Sequence, residues 1–470
     1  MTDTNLLNLK NELEDEERAF SSFGVFDVKH VYEEKDGKAV NTVEINGRKF
    51  TFTDTLTEMR NGVLKKRQIK RFAKLSVYKA ISKVCGKTLP WGSLTGVRPT
   101  KLAYTLLSER GEFKDYFENV LLVSREKTEL TAAVIESQKS VYEENSSGSD
   151  FFVYIPFCPS RCAYCSFISH DLKSAYKYED LYVDALIKEI KYSARYVKNL
   201  RSIYVGGGTP VAIKNENLEK LLSAIDEINC GVEFTVEAGR PDAVSRENLD
   251  ILKAHGVTRI CINPQTFSDA TLKRIGRNHT AQDILKAYDL AQKDFSVNMD
   301  LIAGLPEEKF SDFKNSLETA ISLCPDNITV HTLCLKRGSY LMETGNRTPL
   351  GETLKMVEFA ENTLSMGGYF PYYLYRQKYM SDNLENVGYT KKGKACIFNI
   401  DTMEELCDCV ACGAYAVSKK IFCGEGRIER TGNPKDVKTY LNEFSQCLVK
   451  KDALFSENRG INADINKISL

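Results

Sequence analysis

Apolar and polar positions change rhythm twice along the chain. Over residues 1–150 the pattern is mixed α+β. Thr42-Val43-Glu44-Ile45 and Lys49-Phe50-Thr51-Phe52 alternate on either side of Asn46-Gly47, which predicts a β-hairpin, and a helical period follows over Gln68–Val84. The polar stretch 143–150 marks a linker. From Phe151 onward, short apolar runs alternate with amphipathic stretches. Strands are predicted at Phe151–Ile155, Ser202–Val205, Glu233–Val236, Arg259–Ile262, Val297–Ile302 and Asn327–Thr332. Helices are predicted between them at Tyr178–Val197, Asn217–Ile228, Arg246–His255, Ala281–Lys293 and Phe310–Leu323. This alternation predicts a parallel α/β sheet, which right-handed crossovers curl into a partial TIM-like (β/α)6 barrel; doubly wound order is the other arrangement. Beyond about residue 346 the alternation fades into a mostly helical, irregular region rich in Tyr, Gly and Cys. Three domains follow: an N-terminal α+β domain (1–150), the partial barrel (151–345) and a C-terminal region (346–470).

Composition narrows the class. The 470 residues exceed what one compact core normally holds, and 42% apolar with 27% charged residues is ordinary for a globular protein. Sixty-four basic and 64 acidic residues cancel, so no global field draws in nucleic acid. The basic run Lys65, Lys66, Arg67, Lys70, Arg71 and Lys74 reads as the solvated face of a helix. The acidic N-terminus lacks the apolar stretch of a secretory signal, and no run of about 18 apolar residues spans a membrane. A cytoplasmic location is expected. There the 14 cysteines are thiols rather than a disulfide scaffold.

Three of them carry the chemistry. The apolar strand at Phe151 runs into Cys158, Cys162 and Cys165, spaced C-x3-C-x2-C, so three thiolates converge on one short loop. Three thiolates suit an iron–sulfur cluster with one iron left open for another ligand. Structural zinc normally takes four ligands, so a zinc site would need one from afar, and three plain buried thiols would not explain the Pro-Phe-Cys entry and Tyr164. Other unusual residues fall at predicted strand ends: Gly206-Gly207-Gly208-Thr209-Pro210, Glu237, Gln265 with Arg277 and His279 beyond it, and Asp300. A second group, Cys407, Cys409, Cys412 and Cys423, reads as small buried thiols on a helix, where 409 and 412 share a face and 407 does not; a second cluster or a zinc ion is the alternative.

The segment YIPFCPSRCAYCSF resembles the radical S-adenosylmethionine (SAM) signature, with Tyr164 as the aromatic residue before the third cysteine. That resemblance implies a [4Fe–4S] cluster on Cys158, Cys162 and Cys165, and SAM bound to the open iron. GGGTP, EFTVEAGRPD, GVTRICINPQTFSDATLKRIGRNHT and DLIAGLPEE are similar to the oxygen-independent coproporphyrinogen III oxidase (coproporphyrinogen dehydrogenase) family. LTGVRPTKLA and YYLYRQKYMSDNLENVGY resemble a clostridial-type branch of it. By matched position the resemblance implies SAM contacts from Phe152, Tyr164, Gly207, Gly208, Thr209, Glu237, Gln265, Arg277 and Asp300. It further implies oxidative decarboxylation of coproporphyrinogen III propionates to vinyl groups, an electron donor such as a flavodoxin or ferredoxin, and a C-terminal region covering the tetrapyrrole.

The chain departs from the family pattern at four places. Phe152 stands where the oxidases have a SAM-contacting tyrosine, Phe167 where they have an extra cysteine, Tyr154 in place of a histidine, and Tyr415 in place of a glycine. Members of this kind include haem-binding proteins, so haem delivery, or chemistry on another tetrapyrrole, is the alternative. Arg376 with Lys378, or Arg98 with Lys101, are candidate clamps for propionates, with ion pairing as the plainer role.

Overall fold

The computed structural model describes residues 2–56, 62–96, 98–143, 146–165, 170–336, 339–344, 351–378, 380–422 and 427–456. Phe167, Cys423 and part of the 143–150 linker lie outside the described residues. The chain forms two compact units, Met1–Ala133 with Tyr375–Glu385, and Val134–Leu374 with Asn386–Leu470.

The first unit holds a sheet in the order β1 (Asp3–Thr4), β2 (Val28–Lys35), β3 (Lys38–Ile45), β4 (Arg48–Thr55). Its helices are α1 (Lys10–Ala19), α2 (Gly62–Cys85) and α3 (Pro99–Arg110), with α4 (Arg125–Gln138) after them. The predicted hairpin is β3–β4. Ile45 faces Arg48 across Asn46 (φ 50°) and Gly47 (φ 82°), two positive φ angles that a tight primed turn requires. Alternate β3 residues, including Val43 and Ile45, point inward onto Ala73, Val77 and Ile81 of α2. The basic run does lie on α2, but as a set of ion pairs rather than a plainly solvated face: Lys65 with Glu34 (2.8 Å), Lys70 with Glu12 (2.6 Å) and Lys74 with buried Glu16 (3.3 Å). Segment 375–385 corrects one expectation. Arg376 is buried over the Trp91 ring and donates to the carbonyls of Leu94 and Asn383, while Lys378 pairs with Asp15 at 2.6 Å. Arg376 is thus buried and engaged and is not a free propionate clamp, whereas Lys378 takes the plainer ion-pairing role at the surface.

In the second unit, β5 (Ser149–Ile155), β6 (Leu200–Gly207), β7 (Glu233–Glu237), β8 (Arg259–Cys261), β9 (Ser296–Ala303) and β10 (Asn327–Thr332) pair in parallel, each with the next. They coincide with the six predicted strands. Helices α5 (Leu172–Ser193), α6 (Asn215–Asp226), α7 (Arg246–Ala254), α8 (Asp269–Arg274), α9 (Ala281–Ala291) and α10 (Phe310–Leu323) form the crossovers. Strand order follows chain order, whereas a doubly wound sheet reverses at a switch point. Among the described residues no pairing joins β5 to β10, so the barrel is partial. β5 is apolar along nearly its whole length because both its faces are covered.

After the short α11 (Tyr340–Thr344), the C-terminal region contains α12 (Glu352–Met366), α13 (Ile397–Glu404), α14 (Val437–Asn442) and α15 (Phe444–Phe455). Helical residues outnumber strand residues there, but it also carries strands that the sequence reading missed. β11 (Phe370–Tyr375) and β12 (Asn386–Thr390) extend the sheet beyond β10, and β13 (Asp408–Cys412), β14 (Val417–Phe422) and β15 (Arg427–Gly432) extend it beyond β5. The cysteine group at 407–412 therefore lies on and beside a strand, not a helix, and its thiols face different neighbours. Cys407 Sγ donates to Asp150 (3.3 Å), Cys409 packs with Tyr154 and Ala416, and Cys412 Sγ accepts from buried Lys451 (3.4 Å).

Candidate active site

The C-terminal end of β5 leads straight into the cysteine loop. Phe157–Cys158 forms a two-residue parallel pairing with His170–Asp171, which closes the loop at its base. The loop is then tied to chain beyond β8: the Ala163 amide donates to the Ile275 carbonyl (2.9 Å), and Ser160 Oγ donates to the Gly276 carbonyl (3.1 Å). Cys158, Cys162 and Cys165 are all half-buried in it. Backbone bonds from Gly208 to the Ile155 carbonyl and from Thr209 to the Phe157 carbonyl, both 2.7 Å, lace the end of β6 onto this loop. Thr209 Oγ1 lies 3.5 Å from Cys158 Sγ. Gly208 is required here. A Cβ on it would stand 2.3 Å from the Phe157 carbonyl oxygen and 3.0 Å from Cys158 Sγ.

The inner face of the barrel carries the next group. Phe152 and Tyr204 are register partners on β5 and β6, and their rings lie 6.1 Å apart. Phe398 of α13 stacks on both, at 4.4 Å from Tyr204 and 5.8 Å from Phe152. The Tyr204 hydroxyl donates to Glu237 Oε1 at 2.7 Å, at the end of β7. Burial pushes the Glu237 carboxyl up to about 7 despite that bond. Asp300 on β9 accepts from Asn298 (2.8 Å) and faces His331 (3.5 Å). Burial opposes its ionisation, but His331, Asn298 and Thr329 outweigh it and hold the carboxyl below its ordinary range.

Gln265 follows β8 in a left-handed conformation (φ 67°). Its backbone amide donates to the Asp300 carbonyl (2.8 Å), and its own carbonyl accepts from Ile302 (2.9 Å). Arg277 is buried; it donates to the Asn263 carbonyl (2.6 Å) and to the hydroxyl of Tyr164 (3.2 Å), inside the cysteine loop. The three cysteines, Tyr164, Gly207, Gly208, Thr209, Glu237 and Gln265 therefore sit at the C-terminal ends of β5 to β8 or in the loops that follow, whereas Phe152 and Asp300 lie within β5 and β9 and Arg277 and His279 come after α8. Tyr204, Asn263, His331 and Arg240 were missed. Arg240 donates through Nη1 to Ser160 Oγ (2.9 Å), makes a bidentate pair with Asp242 (2.9 Å twice), and lies 4.0 Å from Cys162 Sγ. Its only signal in the sequence is its place within EFTVEAGRPD.

The residues fit a polar cofactor beside a soft metal cluster. The Tyr154 hydroxyl, Asn263 Oδ1, Gln265 Oε1 and Arg277 Nε are buried without a hydrogen-bond partner. An unsatisfied buried group costs about 1–3 kcal/mol, so four around one set of strand ends are capacity for a ligand. The carboxyls of Glu237 and Asp300 suit a cation, and the three thiols suit iron and sulfur.

Residues 152–320 match the model of the radical SAM superfamily. The oxygen-independent coproporphyrinogen-III oxidase-like protein HemZ of Bacillus subtilis is 36% identical over 386 residues, covering 78% of this chain and 77% of its own. The heme chaperone HemW of Haemophilus influenzae is 30% identical over 302 residues, 62% of this chain and 75% of its own. The solved coproporphyrinogen III oxidase (HemN) of Escherichia coli shares the fold, with a TM-score of 0.53 at 20% identity over 70% of this chain and 74% of its own. Among the described residues no helix is long and apolar enough to cross a membrane. The chain therefore belongs to the radical SAM superfamily, whose members use a [4Fe–4S] cluster and SAM, and within it to the family of oxygen-independent coproporphyrinogen III oxidase-like proteins.

Proposed function

We propose that this protein oxidatively decarboxylates two propionates of coproporphyrinogen III to vinyl groups, giving protoporphyrinogen IX. What carries the reading is the gathering of three thiols, two carboxyls and four unpartnered polar atoms at one set of strand ends, in a chain whose HemZ relative is named as coproporphyrinogen-III oxidase-like. Cys158, Cys162 and Cys165 hold the cluster. Glu237 and Asp300 face the cationic parts of SAM, Arg277 Nε and Gln265 take its polar groups, and Gly207, Gly208 and Thr209 let it approach the backbone. Phe152 and Tyr164 wall the site, Phe152 by stacking and Tyr164 by its bond to Arg277. When bound, cluster and SAM supply the hydrogen-abstracting power for loss of a propionate β-hydrogen, CO2 and one electron, which leaves a vinyl group. A flavodoxin or ferredoxin supplies the reducing electron, and the C-terminal region covers the tetrapyrrole.

Haem delivery is the second reading. It is favoured by the HemW relatives and by Phe152, which has no hydroxyl to offer SAM. Anaerobic reconstitution followed by assay with SAM, dithionite and coproporphyrinogen III separates the two. The oxidase reading expects 5′-deoxyadenosine and protoporphyrinogen in proportion, both lost in Cys162→Ala. Deoxyadenosine without porphyrin product would overturn the substrate. Neither product, with an intact cluster and stoichiometric haem binding, would move the function to haem delivery.

A further inference from the structure

The sulfur of Cys162 is approached by a buried cation to which the proposed reaction gives no role. Arg240 is 3% exposed. One edge of its guanidinium is fixed by Asp242 (2.9 Å twice), and Nη1 reaches Ser160 Oγ at 2.9 Å, Ser160 O at 3.4 Å and Cys162 Sγ at 4.0 Å. Asp242 is backed in turn by buried His279, whose Nδ1 lies 3.4 Å from its carboxylate. Arg240 and Asp242 share the loop after β7, and His279 reaches them from the chain after α8, beside the cysteine loop. A bidentate fork holds its plane, so the remaining N–H stays directed at the loop.

We infer that Arg240 is a positioning residue that seats the Cys162 turn and raises the reduction potential of the cluster, and that Asp242 sets how much of that positive charge the cluster feels. The inference rests on Cys162 being an iron ligand. An iron–sulfur cluster gains one negative charge on reduction, so a nearby cation and an N–H directed at a ligand sulfur both favour the reduced form. Asp242 offsets part of the cation. Loss of the cation and loss of the anion must therefore move the potential in opposite directions, which a mere loosening of the loop would not do.

The experiment is an EPR-monitored redox titration of the reconstituted protein without SAM, with iron content measured in parallel, for wild type, Arg240→Gln and Asp242→Asn. In Arg240→Gln the reduced-to-oxidised ratio at a given potential is expected to fall roughly ten-fold, ~59 mV for a one-electron couple. In Asp242→Asn it is expected to rise several-fold. If Arg240→Gln holds no cluster, Asp242→Asn still decides: a rise supports the inference and an unchanged or lower potential overturns it. Shifts of the same sign in both variants also overturn it. A wild type that binds no [4Fe–4S] cluster overturns the ligand assignment itself, and the inference with it.

Discussion

Gly208→Ala isolates the seat of the cysteine loop. The added Cβ would lie 2.3 Å from the Phe157 carbonyl oxygen and 2.9 Å from its carbon, where ordinary contact begins near 3.4 Å. Roughly 1 Å must therefore open against backbone rather than against a flexible side chain. The Phe157 carbonyl cannot move freely, because it accepts the Thr209 amide at 2.7 Å and its strand pairs with His170–Asp171. Overpacking costs about 1–3 kcal/mol, and a lost backbone bond about 0.5–1.5 kcal/mol more. The expected total is about 2–4 kcal/mol, a drop of several degrees in Tm for a domain this size. The same displacement carries Cys158 Sγ, 3.0 Å from the new atom, out of register with the other two thiols. Iron and acid-labile sulfide per folded protein, measured after anaerobic reconstitution, should therefore fall well below wild type. Gly92→Ala is the control. It meets the Leu121 carbonyl at 2.2 Å with φ +51°, a comparable strain in the first unit, and should melt earlier while retaining its iron. Wild-type iron content and an unchanged visible spectrum in Gly208→Ala would refute the argument.

Two further outcomes are expected. Burial raises the Glu237 carboxyl to about 7, so proton binding stabilises the folded site; that stabilisation is complete below the ordinary value of 4.5 and is lost as pH rises through about 7. SAM needs the ionised form, so its Kd should weaken up to ten-fold per unit as pH falls below about 7 and become pH-independent in Glu237→Gln, read by calorimetry; a flat wild-type profile between roughly pH 6 and 8 counts against the role. Lys451 and Glu189 are a fully buried pair at 2.7 Å, and Lys451→Met should cost about 3 kcal/mol in denaturant unfolding, at the low end for such pairs because Tyr440, Asn433 and the Gly413 amide still satisfy the carboxylate. Glu189→Gln/Lys451→Met should cost less than the single change, and an equal or greater loss would contradict this account.

The barrel was legible because a parallel strand covered on both faces leaves a short, continuous apolar run, as at Phe151–Ile155, and such strands alternate with amphipathic helices. The β3–β4 hairpin was legible because Asn-Gly suits a turn that demands two positive φ angles. β13 was not, since five residues, Asp-Cys-Val-Ala-Cys, cannot distinguish a helical from an extended period. β14 and β15 pair along their whole length, yet VSKKIF and RIERTG are too polar to announce a strand; charged residues are what an exposed sheet edge tolerates. The site shows the same division. Thiol spacing and the glycine run are local signals, whereas Tyr204 acquires its role only when register sets it beside Phe152 and within reach of Glu237. Arg240 likewise depends on Ser160 arriving from the cysteine loop, 80 positions away.

The pairing of β5 with β13 has a consequence for synthesis. The strand that delivers Cys158 takes its second neighbour from residues 408–412, about 250 residues later, some 10–50 s at ribosomal rates of roughly 5–20 residues/s. Through that interval the nascent chain presents an unpaired, apolar edge, Phe151 to Val153, of the kind that templates aggregation. The same edge leads directly into three oxidisable thiols. Edge protection therefore waits on the translation of a segment far outside the cysteine loop, so a nonsense mutation anywhere between residues 166 and 408 should yield insoluble protein even though every cysteine of the motif has already been made.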